Sequence, residues 1–249
     1  MRIVHVAEVD PSSATGMGRV AWHWQQEARR RGLPFVHIGR RQVPPLRHLV
    51  QFPAAARRVY RSMRQLEDCL VVHEPASGAF VKFPSPLVAV SHGVERRMWQ
   101  MQCEGRFGDD QRPSLKTRVT FPLWRLRHAD HGLRRATHVC VLNQDDAAFV
   151  RDVYDRRAED ATVLQHGVNP TSLTADDVPA GPVTVLFLGS WIPRKGVAAL
   201  VAAAEAFAAE GREVQWVLAG DRRGCRQHSQ AVFFRHPGPR AGDPGICGG

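Results

Sequence analysis

Four short segments of this chain carry residue types able to hold or transfer a charged group. In Gly189-Ser190-Trp191-Ile192-Pro193-Arg194-Lys195-Gly196, a glycine ends an apolar run and an Arg-Lys pair stands directly before an alanine-rich run. Backbone N–H groups at a helix start and the helix dipole favour an anion, and a lysine adds a full positive charge. Gly189, Ser190, Arg194 and Lys195 are therefore candidate anion ligands, with an ordinary strand-to-helix connection and a solvated Arg-Lys pair as the competing reading. Gly16, Met17 and Gly18 follow the first apolar run and open a helical pattern, so their N–H groups can face a phosphate without a side chain intervening. The other two segments echo each other: Ser91-His92-Gly93-Val94-Glu95 and Gln165-His166-Gly167-Val168-Asn169. Each sets a histidine and a flexible glycine just after an apolar strand, where an imidazole can hydrogen-bond a sugar hydroxyl or a phosphate. His92, His166 and Gly167 are candidate cleft residues on that ground, although a lone strand-end histidine is more often a local hydrogen-bonding residue.

Other chemistries lack their residues. The chain has no G-x-S-x-G elbow, no G-x-x-x-x-G-K-[ST] loop and no H-E-x-x-H pair. His128, Asp130 and His131 have no fourth partner to complete a metal set, and the acidic residues Asp109-Asp110, Asp145-Asp146 and Asp176-Asp177 are adjacent pairs without a D-x-D. No metal is expected. Gly16, Gly18 and Ala21 match G-x-G-x-x-A, but the loop before Gly16 is long for a dinucleotide fingerprint, and Gly39-Arg40-Arg41 offers no acid for a ribose.

The elements that must position these residues alternate between strand and helix. Apolar runs at Arg2 to Ala7, Phe35 to Ile38, Cys69 to His73, Leu87 to Ser91, Thr137 to Leu142 and Ala161 to Leu164 read as strands. Helical periodicity fills Gly18 to Arg31, the basic stretch after Val43-Pro44-Pro45, Leu115 to Leu133 and Gln144 to Tyr154. Each strand ends in a polar or glycine loop, where open α/β sheets place their ligands. Residues 171–182 have linker composition, after which a strand (Val183 to Leu188), an alanine-rich helix with Val197, Leu200, Val201, Ala204, Phe207 and Ala208 at helical spacing on one face, and a second strand (Glu213 to Asp221) restart the pattern. Beyond Asp221 only Ala231-Val232-Phe233-Phe234 resembles a strand. The division expected is 1–170 as an N-terminal domain, 171–182 as a linker, 183–221 as the start of a second domain and 222–249 as an irregular tail.

A length of 249 residues with 43% hydrophobic residues is ample for a core. The five cysteines are scattered without C-x-x-C, which favours free thiols over a disulfide framework or zinc. The charged N-terminal run and the lack of a long apolar stretch predict a cytoplasmic protein. The formal charge is +10, and only Lys82, Lys116 and Lys195 are lysine among 34 basic residues. No zinc finger, aromatic RNP pair or basic zipper accompanies that charge, so no specific nucleic acid is expected. An anionic membrane surface is a candidate partner, because Arg57, Arg58, Arg61 and Arg64 fall at helical spacing while Val59, Met63 and Leu66 mark another face. A solvated helix face beside a core stripe is the plainer account of the same spacing.

Taken in order, the segments VVHE (Val71 to Glu74), VSHGVE (Val90 to Glu95), ATHVCVLNQ (Ala136 to Gln144), VLQHGVNP (Val163 to Pro170) and LFLGSWIPRKG (Leu186 to Gly196), behind an N-terminal strand and Gly-x-Gly, form a pattern. It resembles that of retaining glycosyltransferases of the GT-B fold, family 4 type, across residues 1 to about 221. The resemblance implies an α/β architecture: a Rossmann-like N-terminal domain with a parallel sheet on the acceptor side, and an incomplete Rossmann-like domain on the side of a nucleotide-sugar donor. It implies metal-independent transfer, with Lys195 at the donor diphosphate, Gly16 at the phosphates and His92 as the catalytic-side residue near the transferred sugar. Two departures accompany it. Ser190 stands where many relatives carry arginine, which Arg194 would replace, and nothing after Asp221 matches the family's E-x7-E carboxylates. The expectation is a partial, weakly active or inactive transferase. The alternatives are a noncatalytic module that binds an acceptor or a membrane surface, and, more remotely, a dinucleotide-dependent oxidoreductase.

Overall fold

The structure, a computed structural model, describes residues 1–13, 16–108, 112–165, 183–189, 191, 195–219 and 232–234. It separates into two compact units, Met1–Arg106 with Arg112–Asn169, and Phe107–Gln111 with Pro170–Gly249.

In the first unit six short strands form one sheet: β1 (Arg2–Val6), β2 (Phe35–Ile38), β3 (Asp68–His73), β4 (Leu87–Val90), β5 (His138–Val141) and β6 (Ala161–Val163). Their order is β2-β1-β3-β4-β5-β6, and every neighbouring pair is parallel. This is a mixed α/β fold with a Rossmann-like parallel sheet. Parallel strands need crossover helices, which are α1 (Gly16–Arg30), α2 (Phe52–Met63), the single turn α3 (Glu74–Ser77), α4 (Glu95–Cys103), α5 (Leu115–Phe121), α6 (Arg127–Arg135) and α7 (Gln144–Tyr154). The strands predicted from the apolar runs appear within one residue at most ends, because runs of Val, Leu and Ile bounded by turn residues suit a sheet buried on both faces.

The alternation along the strands sorts side chains onto two faces. Val4, Val6, Leu70, Val72, Ala89, Val139 and Val141 are buried with Phe52, Ala56 and Tyr60 of α2 and Val150 of α7 in one core. On the opposite face His5 meets Trp24 of α1 edge-on, with ring centroids 5.5 Å apart. Gly32, with φ of 66°, ends α1 as predicted. The helix starts two residues earlier than the periodicity suggests, so Gly16, Met17 and Gly18 make its first turn.

The segment predicted as one helix over Leu115 to Leu133 is a helix with an insert. Between α5 and α6, residues Pro122–Leu126 form a π turn. Proline has no N–H and its ring crowds the carbonyl four residues back, and a widened turn accommodates both. Its phase shift carries Arg125 inward, half-buried, while Leu123 and Trp124 remain exposed.

α3 and α6 touch through two glycines. A Cβ on Gly132 would collide with the Ser77 side chain, and one on Gly78 with the His128 backbone. α7 is capped by Asn143, whose Oδ1 accepts from the Asp146 N–H at 2.8 Å.

The second unit contains β7 (Val183–Leu188), α8 (Val197–Ala209), β8 (Val214–Ala219) and β9 (Val232–Phe234). β7 and β8 are parallel, and β9 joins β8 antiparallel. The strand, helix and strand predicted here are present, and Val197, Leu200, Ala204 and Phe207 are the partly covered side of α8. Val201 and Ala208, predicted on that side, are exposed, and no residue of α8 is fully buried.

Replacing Gly132 by alanine forces a methyl group into Ser77 where backbones approach closely. Gly132→Ala is expected to lower stability by about 1–3 kcal/mol in urea unfolding, whereas Gly132→Ala combined with Ser77→Gly recovers part of the loss. An unchanged midpoint for the single variant would refute the close contact.

Candidate functional site

In the order β2-β1-β3, the chain leaves β1 towards one edge of the sheet and later returns to its other side at β3. Such a switch point opens a crevice at the carboxyl ends of the strands. The residues that follow those ends are Glu8 and Asp10 after β1, Glu74 after β3, and Ser91 to Glu95 after β4.

Glu74 ties this edge together. It is 2% exposed, yet it is an acid. Ser91 Oγ lies 2.6 Å from Glu74 Oε2, and the Glu95 N–H donates to Glu74 Oε1 at 2.9 Å. Burial dominates over these hydrogen bonds and pushes the Glu74 carboxyl up to about 8, with nearby Glu95 adding to the rise. A carboxyl that stays protonated at neutral pH is the form that fits a buried site without a cation. The Gly93 N–H donates to Ser91 Oγ at 3.3 Å, and Gly93 has φ of 126°, a conformation that favours glycine. Glu74 thus holds the Ser91-His92-Gly93 turn from below.

His92 is half-buried, with its ring centroid 4.7 Å from that of His73. His73 belongs to a row that crosses three strands. His5 Nε2 is 2.9 Å from His73 Nε2, and His5 Nδ1 is 2.9 Å from His37 Nδ1. At the far end His37 Nε2 lies 3.8 Å from Asp10 Oδ1. The carboxylate favours a proton on His37 Nε2, leaving Nδ1 to accept from the His5 Nδ1–H and His5 Nε2 to accept from the His73 Nε2–H. His5 and His37 are neutral in that arrangement. Burial holds His5 well below its ordinary value, helped by His73, His37 and His92, and burial also lowers His37 despite Asp10 and the Val9 carbonyl. A Cβ at Gly39 would strike both Asp10 and His37, so glycine there lets the pair meet.

Beside the switch point, Arg125 from the π turn bridges two elements. It reaches Glu8 Oε2 at 3.2 Å and Glu95 Oε1 at 2.9 Å, joining the end of β1 to the start of α4. Burial raises Glu8, with Arg125 opposing the rise. A pocket of about 230 Å³ opens here. Glu8, Arg125 and His128, with the hydroxyls of Thr117 and Thr120, supply its charged or polar groups, while Phe121, Trp124 and Pro53 are among its apolar walls. Such a mixture suits a ligand with hydroxyl groups and an apolar portion.

The predicted residues fall in different places. Gly16, Met17 and Gly18 begin α1; Gly16 and Met17 are exposed, and a Cβ on Gly16 would meet nothing within 4 Å. His92 and Gly16 to Gly18 are both at the carboxyl edge of the six-stranded sheet, but neither is among the described residues that line the pocket. Gly189, with φ of 151°, ends β7 and donates its N–H to the Ala219 carbonyl at 2.9 Å, and Lys195 is exposed one residue before the αL N-cap Gly196 of α8. Ser190, Arg194, His166 and Gly167 lie outside the described residues. Among the described residues no cluster of His, Cys, Asp or Glu could hold a metal; Asp130 instead pairs with Arg96 and accepts from Tyr154. His5, His37, Glu8 and Arg125 were missed by sequence reasoning. The signal available was a histidine in each of the first three strands, with the parallel register His5↔His37 placing two of them side by side. No family model matches the chain, and no curated protein matches it.

The opposite shifts of Glu74 and the histidines set a pH profile. A carboxyl raised on folding stabilises fully below its unfolded value of 4.5, and that contribution is lost as pH rises through about 8. The lowered histidines act the other way: stability is full above their unfolded value of 6.5 and falls as pH drops below it. Glu74→Gln keeps the neutral shape, so the stability of the wild type relative to the variant is expected to fall as pH rises from 4.5 to about 8, then level off. Thermal melts across that range check this, and parallel profiles would mean that Glu74 is ionised throughout.

Proposed function

We propose that this chain provides the acceptor side, and the beginning of the donor side, of a metal-independent retaining glycosyltransferase of GT-B type that uses a nucleotide-diphosphate sugar. The observation that carries the reading is the Glu74 lock. It fixes a histidine-glycine turn at the carboxyl edge of a parallel sheet, next to a pocket with Glu8, Arg125 and His128 in its wall. In this reading the pocket takes the acceptor, whose hydroxyl groups bond to those polar side chains. His92 stands at the transferred sugar, and the Gly16 to Gly18 turn offers N–H groups to phosphate.

The chemistry follows from charge. Departure of a nucleoside diphosphate develops negative charge, which a fixed cation and N–H groups stabilise without a metal. Lys195 supplies the cation, directly before the N-cap of α8, and Gly189 provides a side-chain-free strand end for close approach. Arg194 is a second cation in the same loop. In the six-stranded sheet, burial holds His5 neutral, so positive charge near the sugar does not come from that ring.

The test is a panel of nucleoside-diphosphate sugars, scored by thermal shift and by turnover. At least one donor is expected to raise the melting temperature. Lys195→Ala should weaken its binding about tenfold, and His92→Ala should lower turnover about a hundredfold while leaving donor affinity intact. If no nucleotide sugar binds or is consumed, the reading fails.

A further inference from the structure

The helical segment that walls the pocket turns a different side to solvent. Thr117, Thr120 and Phe121 face the pocket, and Phe121 stacks on Trp99 with centroids 4.5 Å apart. On the outside Leu115 is 80% exposed, Val119 63% and Leu123 58%, and Trp124, which also borders the pocket, is 57% exposed. Leu115, Val119 and Leu123 are four residues apart, a single row along the helix. Around the row Lys116, Arg118 and Arg127 are exposed, and none of the three makes an ion pair among the described residues. From Gln111 to Ala129 the sequence contains no acidic residue.

An apolar row of this size is unusual on a soluble surface and calls for an occupant. We propose that α5 and the π turn dock on an anionic lipid bilayer, with Leu115, Val119, Leu123 and Trp124 entering the interface and Lys116, Arg118 and Arg127 on the headgroup phosphates. Charge selects this occupant. The cations flank the apolar row without acids between them, the pattern of a helix lying in a membrane interface, and tryptophan is the residue enriched at headgroup depth. The whole chain carries +10, which draws it to a negative surface before any insertion. No described helix is long and apolar enough to cross a membrane, so contact is confined to the surface.

This location differs from that suggested by the basic stretch of α2. There Val59 and Met63 pack against the core, and Leu66 lies beyond the helix end. α2 thus presents Arg58 and Arg61 without an apolar row to insert. The inference is independent of the glycosyltransferase reading, since it needs neither a donor nor turnover.

Sedimentation of the full chain with phosphatidylcholine vesicles, and with vesicles that also contain phosphatidylglycerol, tests it. Binding is expected to the mixed vesicles and to weaken with salt. Leu123→Ser with Trp124→Ser should reduce it about tenfold or more, at an unchanged melting temperature because both side chains are exposed. Lys116→Glu with Arg118→Glu should reduce it as well. In the wild type, brominated lipid should quench a fluorescence component that Trp124→Phe removes. Failure to bind the mixed vesicles overturns the proposal. So does full binding by the Leu123/Trp124 variant, a loss seen only on Arg58→Glu with Arg61→Glu, or a concentration-dependent dimer abolished by Leu123→Ser with Trp124→Ser, which would make a second copy the occupant.

Discussion

The arrangement at the carboxyl edge of the sheet depends on one buried acid. Glu74 follows β3 directly and, among the described residues, has no basic partner in hydrogen-bond contact, so its environment favours the neutral form. In that form one oxygen meets Ser91 after β4 and the other accepts from the first N–H of α4. A single side chain therefore couples three successive elements, and the turn that carries His92 has its geometry set from beneath. An ionised Glu74 would retain the same neighbours but would carry a charge with no compensating cation in contact. Protonation is thus part of the fold at this edge.

The same edge contains a second polar device on the other face of the sheet. His5, His37 and His73 lie where a parallel sheet normally buries valine or isoleucine. Each imidazole has one donor and one acceptor, so a row of neutral rings satisfies its internal contacts only if all the protons point the same way. Asp10 gives that row its direction. The cost of burying polar rings is offset by these hydrogen bonds and by the packing of Trp24 on His5. Together with Glu74, His5 and His37 are groups near this edge whose protonation is set by burial rather than by solvent.

The strands and most helices were legible because they are written locally. Short runs such as Val4 to Val6 or Val139 to Val141, closed by polar turns, leave little choice of structure, and the αL glycine at 32 marks where α1 ends. The π turn was not legible. Pro122 inside a helical pattern signals a break, and only packing decides that the chain widens by one residue and continues. Glu74 was quoted within VVHE without its role, because an acid after a strand is usually solvated and the sequence does not state that Ser91 and Glu95 will close over it. The histidine row depends on register between β1, β2 and β3, with His5 lying 32 residues from His37 and 68 from His73 in sequence; alternation within one strand cannot supply it. His92 was legible as a strand-end histidine, while the pocket formed by Glu8 and Arg125 needed residues from opposite ends of the first unit.

Physical differences between the two units bear on how each can contribute to chemistry. The elements at the carboxyl edge of the first unit rest on a core in which Phe52, Tyr60, Leu70 and Leu133 are fully buried. In the second unit Val183, Leu186 and Leu188 of β7 are more than half exposed, and α8 buries none of its residues completely. A cation stabilises a developing charge strongly only where water is excluded and its own position is already fixed. Lys195 is exposed, so in water alone its attraction for a diphosphate is screened. In the proposed reading its contribution to catalysis therefore depends on what covers it when a donor is bound: the nucleotide itself, or protein that closes on it. In the same reading the helix dipole and the side-chain-free strand end at Gly189 would set the direction of approach, and exclusion of water would decide whether that approach lowers a barrier or only holds an anion.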